Sequence, residues 1–331
     1  MFQAAVYYGQ EYRLANKFSL EGNEGWDYIT ADDTTSKVYV SHGSVVQVLD
    51  TYKGHVIATI NDLHGVHGIA LAHDLGKGFI SSGKDSAVTV IELLGYTTLA
   101  KLKVTGANPD ALVYDRVTHR VFVFNGRSSS ATVIDGNTNK VVATIGLEGK
   151  PEFAVVDEEG KLFVNIEDKS KITVINTQTM KVENSWSIAP GEEPSGLAID
   201  LKTHRLFAVC DNKMMVVVDA TNGKVIATVP TGENTDGCAF DAGLNRIYSS
   251  NGDGTMTIVQ EVNADTYKVL ENFKTMRGAR TIAVNQKNHH VFLPTAEYNP
   301  MPPVSKDNPK PRPTLKAGSF VVLDIEYQKQ K

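Results

Sequence analysis

Short apolar runs separated by polar turn residues recur along the whole chain, and one of them shows the pattern most clearly. Asn108-Pro109-Asp110-Ala111-Leu112-Val113-Tyr114-Asp115 is a turn signal, an acidic residue, a short apolar run and a closing aspartate. Six other stretches align with it: Asp27–Asp32, His67–Ala72, Glu152–Asp157, Ser195–Asp200, Asp236–Asp241 and Arg280–Asn285. Their starts, at 27, 67, 110, 152, 195, 236 and 280, are 40–44 residues apart. A sustained period of that length marks a repeat architecture. A second apolar run follows each after a polar turn, as in Lys37–Ser41, Arg120–Phe124 and Lys161–Asn165. A third run alternates (Val45–Asp50, Ala131–Asp135), and a fourth reads His55–Ile60, Lys140–Ile145 or Lys224–Val229. These runs are β-branched and aromatic and are bounded by Gly, Asn and Asp, which is the strand signature. No stretch sustains a 3.6-residue period. Four strands per repeat of this length describe a propeller blade, so the expected fold is all-β with seven blades of four antiparallel strands.

The ends of the chain fit ring closure. After Phe320–Glu326 no fourth strand follows, whereas residues 11–20 match a fourth strand and have no partner of their own. The N-terminal strand is therefore expected to complete the C-terminal blade, removing two open sheet edges. The chain then forms one domain over 1–331 and is expected to be a monomer.

Composition narrows the function classes. A net charge of −5, with no Lys/Arg run, lacks the electrostatic footprint that nucleic-acid binding requires. No apolar stretch reaches the roughly 18–20 residues needed to span a bilayer. Met1–Tyr8 has neither a basic n-region nor an apolar h-region, so no signal peptide is read in this chain. Cys210 and Cys238 sit inside apolar strand patterns and are expected to be buried free thiols.

Tyr39-Val40-Ser41, the Val-Phe-Val-Phe-Asn-Gly run at 121–126 and the Val-Ile-Asp-x-x-Thr-x-Lys-Val-Val-Ala-Thr-Ile run at 133–145 resemble the YVTN-type, YncE-like seven-bladed propellers. The resemblance spans residues 11–326. Members of that group are often exported by bacteria, so it implies a periplasmic or secreted protein. Related propellers include metal-dependent lactonase-like hydrolases and a lyase, with chemistry at the propeller mouth.

In a blade the first strand lines the central channel and the next runs antiparallel. The loop entering the first strand and the loop leaving the second therefore open on one face. First-strand starts contribute Asp27, His67, Asp110, Glu152, Ser195, Asp236 and Arg280 to that face. Entry loops add Trp26, Asn108, Lys150, Glu193 and Arg277, and second-strand exits add His42, Asn125 and Glu297. The expected metal ligands for a divalent cation are Asp110, Glu152, His67 and Asp236, because carboxylates and imidazoles suit such ions. His67, Glu152 and Arg280 are the expected catalytic groups, as proton carriers and as a bidentate anion clamp. Trp26, Asp27, His42, Asn108, Asn125, Glu193, Asp236, Arg277 and Glu297 are expected to line the ligand site. The aspartates closing the first strands, Asp32, Asp115, Asp157, Asp200 and Asp241, lie on the opposite face and are read as turn devices.

One loop breaks the repeat: residues 298–318 carry six prolines and the basic residues Lys306, Lys310, Arg312 and Lys316. It connects a second to a third strand, which places it on the ring face as a lid or partner arm. No phosphate-cradling glycine loop, Gly-x-Ser-x-Gly elbow, CxxC pair or His-Glu-x-x-His motif is present. Three readings stay open. One is a metal-dependent hydrolase or lyase of lactone- or ester-like small molecules; the second is a non-catalytic propeller that binds a ligand or a protein partner; the third is a structural propeller whose polar ring solvates a wet channel.

Overall fold

In the computed structural model, which describes residues 11–303 and 311–328, the chain forms seven four-stranded antiparallel sheets. The first runs Trp26–Ala31, Lys37–His42, Val45–Asp50 and His55–Ile60, and the next five repeat this order with first strands Val66–Ala72, Pro109–Asp115, Pro151–Val156, Pro194–Asp200 and Thr235–Asp241. The helical elements among the described residues are single 3-10 turns at His73–Leu75 and Glu167–Lys169. The N-terminal segment Met1–Gln10 and the middle of the proline loop, 304–310 with Lys306 and Lys310, lie outside the described residues.

The seventh blade departs from the sequence expectation at its inner edge. Only Ala283–Val284 joins the ladder with Val291–Thr295, so Arg280 precedes the strand instead of starting it. The outer edge of that blade is the N-terminal strand. Tyr12–Ser19 lies antiparallel to Val321–Tyr327, from Tyr12 opposite Tyr327 to Ser19 opposite Val321.

Apolar side chains from neighbouring sheets interdigitate between blades. Phe122, Phe124, Leu162 and Val164 fill one such interface, and Phe207, Phe240 and Ile247 another. Each fully buried side chain of this size contributes about 1.5–3 kcal/mol of transfer free energy. The mid-strand repetition of Val, Ile and Phe therefore supplies the fold and leaves the strand ends free to vary. On the lower face the aspartates accept backbone N–H groups two or three residues on: Asp115 from Val117, Asp157 from Glu159, Asp200 from Lys202 and Asp241 from Gly243. These are Asx turns that fix the first hairpin of their blades; the second blade instead turns through His73–Leu75 after Ala72.

Candidate functional site

A bulge at the head of the first strands aims the ring residues. Trp26 pairs with His42 and Ile29 with Val40, so Asp27 and Tyr28 together oppose Ser41. The same two-against-one count recurs at His67-Gly68, Asp110-Ala111, Glu152-Phe153 and Ser195-Gly196, and Thr235/Gly237 brackets Asp236. Such an extra residue leaves the ladder and turns its side chain out of the pleat, here toward the channel axis. The entry turn ahead of it is left-handed at Gly65, Asn108, Glu193, Asn234 and Gly278.

Buried polar groups of the second strands lock alternate ring positions to the preceding blade. Ser81 Oγ donates to the carbonyl of Asp110 (2.6 Å), and Asn165 Nδ2 to that of Ser195 (2.9 Å). Ser250 Oγ donates to the carbonyl of Arg280. Sequence reasoning passed over these three; the signal was a Ser or Asn at the fifth position of an otherwise apolar second strand.

The arrangement unites part of the expected set. His67 Nδ1 lies 2.6 Å from Asp27 Oδ2 and 3.5 Å from Asp110 Oδ1. One ligand atom from each of these three residues falls within 4.8 Å of the others, a spacing that could hold a metal ion. Asp27 completes this cluster, whereas Asp236 is engaged in an ion pair with Arg280. Arg280 also leans toward Asp27 at 3.8 Å. Glu152 sits beyond Asp110 and is paired with Lys150 Nζ at 2.7 Å; Lys150 also binds Glu167. Asn108 stays at the site. A Cβ on Gly83 would meet His67 Nε2 at 2.6 Å and the Asn108 side chain at 2.8 Å, so both groups press on that glycine.

The floor of the ring sets its electrostatics. Tyr28 and Phe153, from opposite sides of the channel, meet edge to face with centroids 5.4 Å apart. Burial lifts the Asp110 carboxyl to about 6, with the Asp27 charge adding to it and His67 opposing. Burial likewise lifts Glu152 to about 7, against the pull of Lys150. Burial alone would lower His67, but its bond to Asp27 and the surrounding carboxylates raise it on balance. Removing two like-charged carboxyls from water favours protonation until a positive group arrives.

Six expected site residues are placed elsewhere. His42 is buried, with Nε2 2.8 Å from the Glu24 carbonyl and its ring stacked on Phe320 at 4.0 Å. Trp26 is buried against Phe320 at 5.6 Å. Asn125 is buried and donates to Ser130 and Thr132 hydroxyls. These side chains lie within the sheet stack because they pair in regular register just outside the bulge, which alone redirects toward the axis. Glu193 is an exposed left-handed turn residue. Arg277 lies over the Tyr298 ring (5.9 Å) and Glu297 pairs with Lys316 (2.6 Å), both at the base of the proline loop.

No protein-family model matches the chain. It is 25% identical over 198 residues to the YncE protein of Salmonella typhimurium, covering 58% of this chain and 55% of that one. It is 27% identical over 216 residues to the YncE protein of Escherichia coli K12, covering 61% of each. The matched stretch thus spans little more than half of the curated relatives' length. Solved structures of similar shape include the RRP9 WD40 repeats, with TM-score 0.79 and 10% identity over 96% of this chain and 99% of that one. Another is Kuenenia stuttgartiensis hydrazine synthase, with TM-score 0.71 and 14% identity over 91% and 98%. At these identities the likeness to solved structures shows the fold alone.

Proposed function

This chain is a YncE-like seven-bladed propeller, and we propose that its ring face is a small-molecule site organised on a divalent cation, acting on ester- or lactone-like substrates by hydrolysis or elimination. The observation that carries the reading is the convergence of Asp27, His67 and Asp110 from three blades. Two carboxylates and one imidazole suit a zinc- or manganese-type ion better than calcium, which takes six to eight oxygens. The donor set fits in charge as well, since the Asp110 carboxyl is held above its ordinary range by burial and by Asp27. When bound, the cation supplies Lewis-acid polarisation of a carbonyl oxygen.

The remaining groups have separable roles. Glu152 exchanges its proton near pH 7 and is suited to general acid–base work. Lys150 orients it from the entry loop. Arg280, anchored on Asp236, holds positive charge beside Asp27 and orients an anionic substrate group. Tyr28 and Phe153 keep water from beneath the carboxylates and strengthen every charge interaction above them.

Calorimetric titration of the metal-stripped protein with zinc, manganese and calcium chlorides tests this first. One ion per chain is expected, with loss of binding in Asp110→Asn and His67→Ala. An ester and lactone screen with and without chelator then tests turnover, which Glu152→Gln should abolish without loss of metal. No binding by the wild type, or unchanged binding in both variants, rejects the proposal. An extracytoplasmic location is part of the same proposal and rests on the likeness to the YncE proteins.

A second reading is a non-catalytic binding propeller. It is favoured by a cleft of about 500 Å³ at the loop base, lined by Arg277, Glu297, Tyr298, Pro300, Met301 and Pro313. Metal binding with no turnover in the screen would select it.

A further inference from the structure

The opposite end of the channel has different chemistry. Below Tyr28 and Phe153 the first strands present apolar side chains that remain partly exposed, among them Leu71, Leu112, Val113, Val155, Val156 and Ile199. They bound a cavity of about 680 Å³. At the lower mouth it merges with a recess of about 650 Å³, rimmed by Thr34, His73, Asp74, Tyr114, Arg116 and Glu158. A concave, apolar, water-exposed volume of this size with a few fixed polar groups is the form of a small-molecule site.

The rim is ordered by its own bonds. The Tyr114 hydroxyl donates to Asp74 Oδ2 at 2.9 Å and lies 2.9 Å from His119 Nδ1. His73 Nε2 is 3.1 Å from Asp32 Oδ1, and Arg116 reaches Glu158 at 3.3 Å. Asp33 closes the far side, its carboxylate accepting the Gln286 N–H at 2.7 Å. Asp33, Asp74 and Glu158, with the buried Asp32, outnumber the fixed positive charges that face them: Arg116 pairs with Glu158 and Lys287 stands near Asp33, while His119 lies 3.1 Å from Asp74 and His73 pairs with Asp32. An anionic ligand would add to this excess of carboxylates, whereas an ammonium offsets it.

We propose that the lower mouth binds an amphipathic cation, with its hydrocarbon part in the apolar channel and a protonated amine at the Asp33, Asp74 and Glu158 rim. This site is separate from the ring above Tyr28 and does not depend on metal there.

Displacement of the neutral fluorophore N-phenyl-1-naphthylamine by octylammonium, octanol and octanoate tests it. Octylammonium is expected to displace the probe at a concentration at least about tenfold lower than octanoate does. Leu71→Trp and Val156→Trp, which fill the channel, should weaken all three ligands about tenfold or more. Asp74→Asn combined with Glu158→Gln should reduce octylammonium to the level of octanol. Octanoate binding as well as octylammonium overturns the proposal, as does unchanged displacement in a channel-filled variant that melts like the wild type. If the tryptophan variants do not fold, the surface pair Asp74→Asn/Glu158→Gln decides alone, and an unaltered preference for the amine overturns the assignment. Ring metal titration of each variant should match the wild type, which keeps the two sites distinguishable.

Discussion

Arg246 is the residue through which ring closure can be weighed. It is buried on the second strand of the sixth blade, yet it reaches the N-terminal strand of the seventh. Its guanidinium donates to the Tyr12 hydroxyl at 2.7 Å and to Glu11 at 2.6 Å. The charge also lies over the Tyr327 ring at 4.4 Å and the Tyr12 ring at 5.3 Å. Arg246→Ala removes the charged-donor hydrogen bond to Tyr12, about 1.5–3 kcal/mol, and a longer one to Gln260 Oε1 at 3.3 Å. It also removes two cation–π contacts of roughly 0.5–1 kcal/mol each. The part-exposed Glu11 pair adds at most about 1 kcal/mol. Tyr12 keeps its bond to Tyr248 at 2.9 Å, so no orphaned hydroxyl adds to the loss.

These contributions overlap, and a net loss of about 3 kcal/mol is expected. For a domain of 331 residues that corresponds to a melting temperature lower by roughly 4 °C. The location of the loss is more diagnostic than its size. Amide exchange should rise first in Tyr12–Ser19 and Val321–Tyr327, with the inner blades protected. A double-mutant cycle with Tyr12→Phe should show coupling of more than about 0.5 kcal/mol. A melting shift under about 1 °C, or exchange spread evenly over all blades, would refute the view that this cluster fastens the ring.

Metal affinity at the ring should rise as pH increases from 5 to 7.5, because Asp110 and His67 must release protons to become ligands; calorimetry at fixed ionic strength reads this, and a flat profile contradicts the ligand assignment. Burial lifts Glu261 to about 7, so its protonated form stabilises the fold fully below the ordinary glutamate range, and that stability is lost as pH rises through 7. Glu261→Gln should therefore melt like the wild type at pH 4.5 and above it at pH 8, and equal melting at both pH values would remove this carboxyl from the pH response. Phe122→Ala, at a fully buried inter-blade position, should cost about 3–5 kcal/mol by chemical denaturation, and a loss below 1 kcal/mol would contradict the packing described for that interface. Ser81→Ala, at a fully buried position, strands the Asp110 carbonyl and the Gly68 N–H, so it should cost about 1–3 kcal/mol of stability and also weaken ring metal binding; unaltered affinity in the folded variant would limit that bond to folding.

The period, the strand order and the N-terminal closure were legible because they are written in apolar residues at fixed offsets. The ring was legible for the same reason: Asp27, His67, Asp110 and Glu152 occupy one register position in successive blades. The neighbours of that position were harder to read. His42 and Asn125 stand one strand away on the same face, and alternation alone suggests that they share the mouth. The bulge adds one residue to the first strand and none to the second, and a one-residue offset moves a side chain to the other face. Its cue, a Gly or small residue after the ring position at Gly68, Ala111, Gly196 and Gly237, also reads as ordinary strand sequence. Pairings between blades, such as Asp236 with Arg280, depend on ring geometry that no local spacing encodes.

The bulge also explains how this fold tolerates such unlike residues at equivalent positions. A residue within the ladder must fit the packing of two sheets, which is why the mid-strand positions repeat Val, Ile and Phe. The bulged residue leaves that ladder, so Asp, His, Glu or Ser can stand there with little penalty to the blade. What limits it instead is the charge of its neighbours around the axis. Asp236 is balanced by Arg280, Glu152 by Lys150 and Asp27 by His67. Asp110 has only a shared claim on His67 at 3.5 Å and is the carboxyl of the His67 cluster raised by burial. An arriving cation would therefore gain most beside Asp110, and that position, more than any motif, is where function in this ring is expected to concentrate.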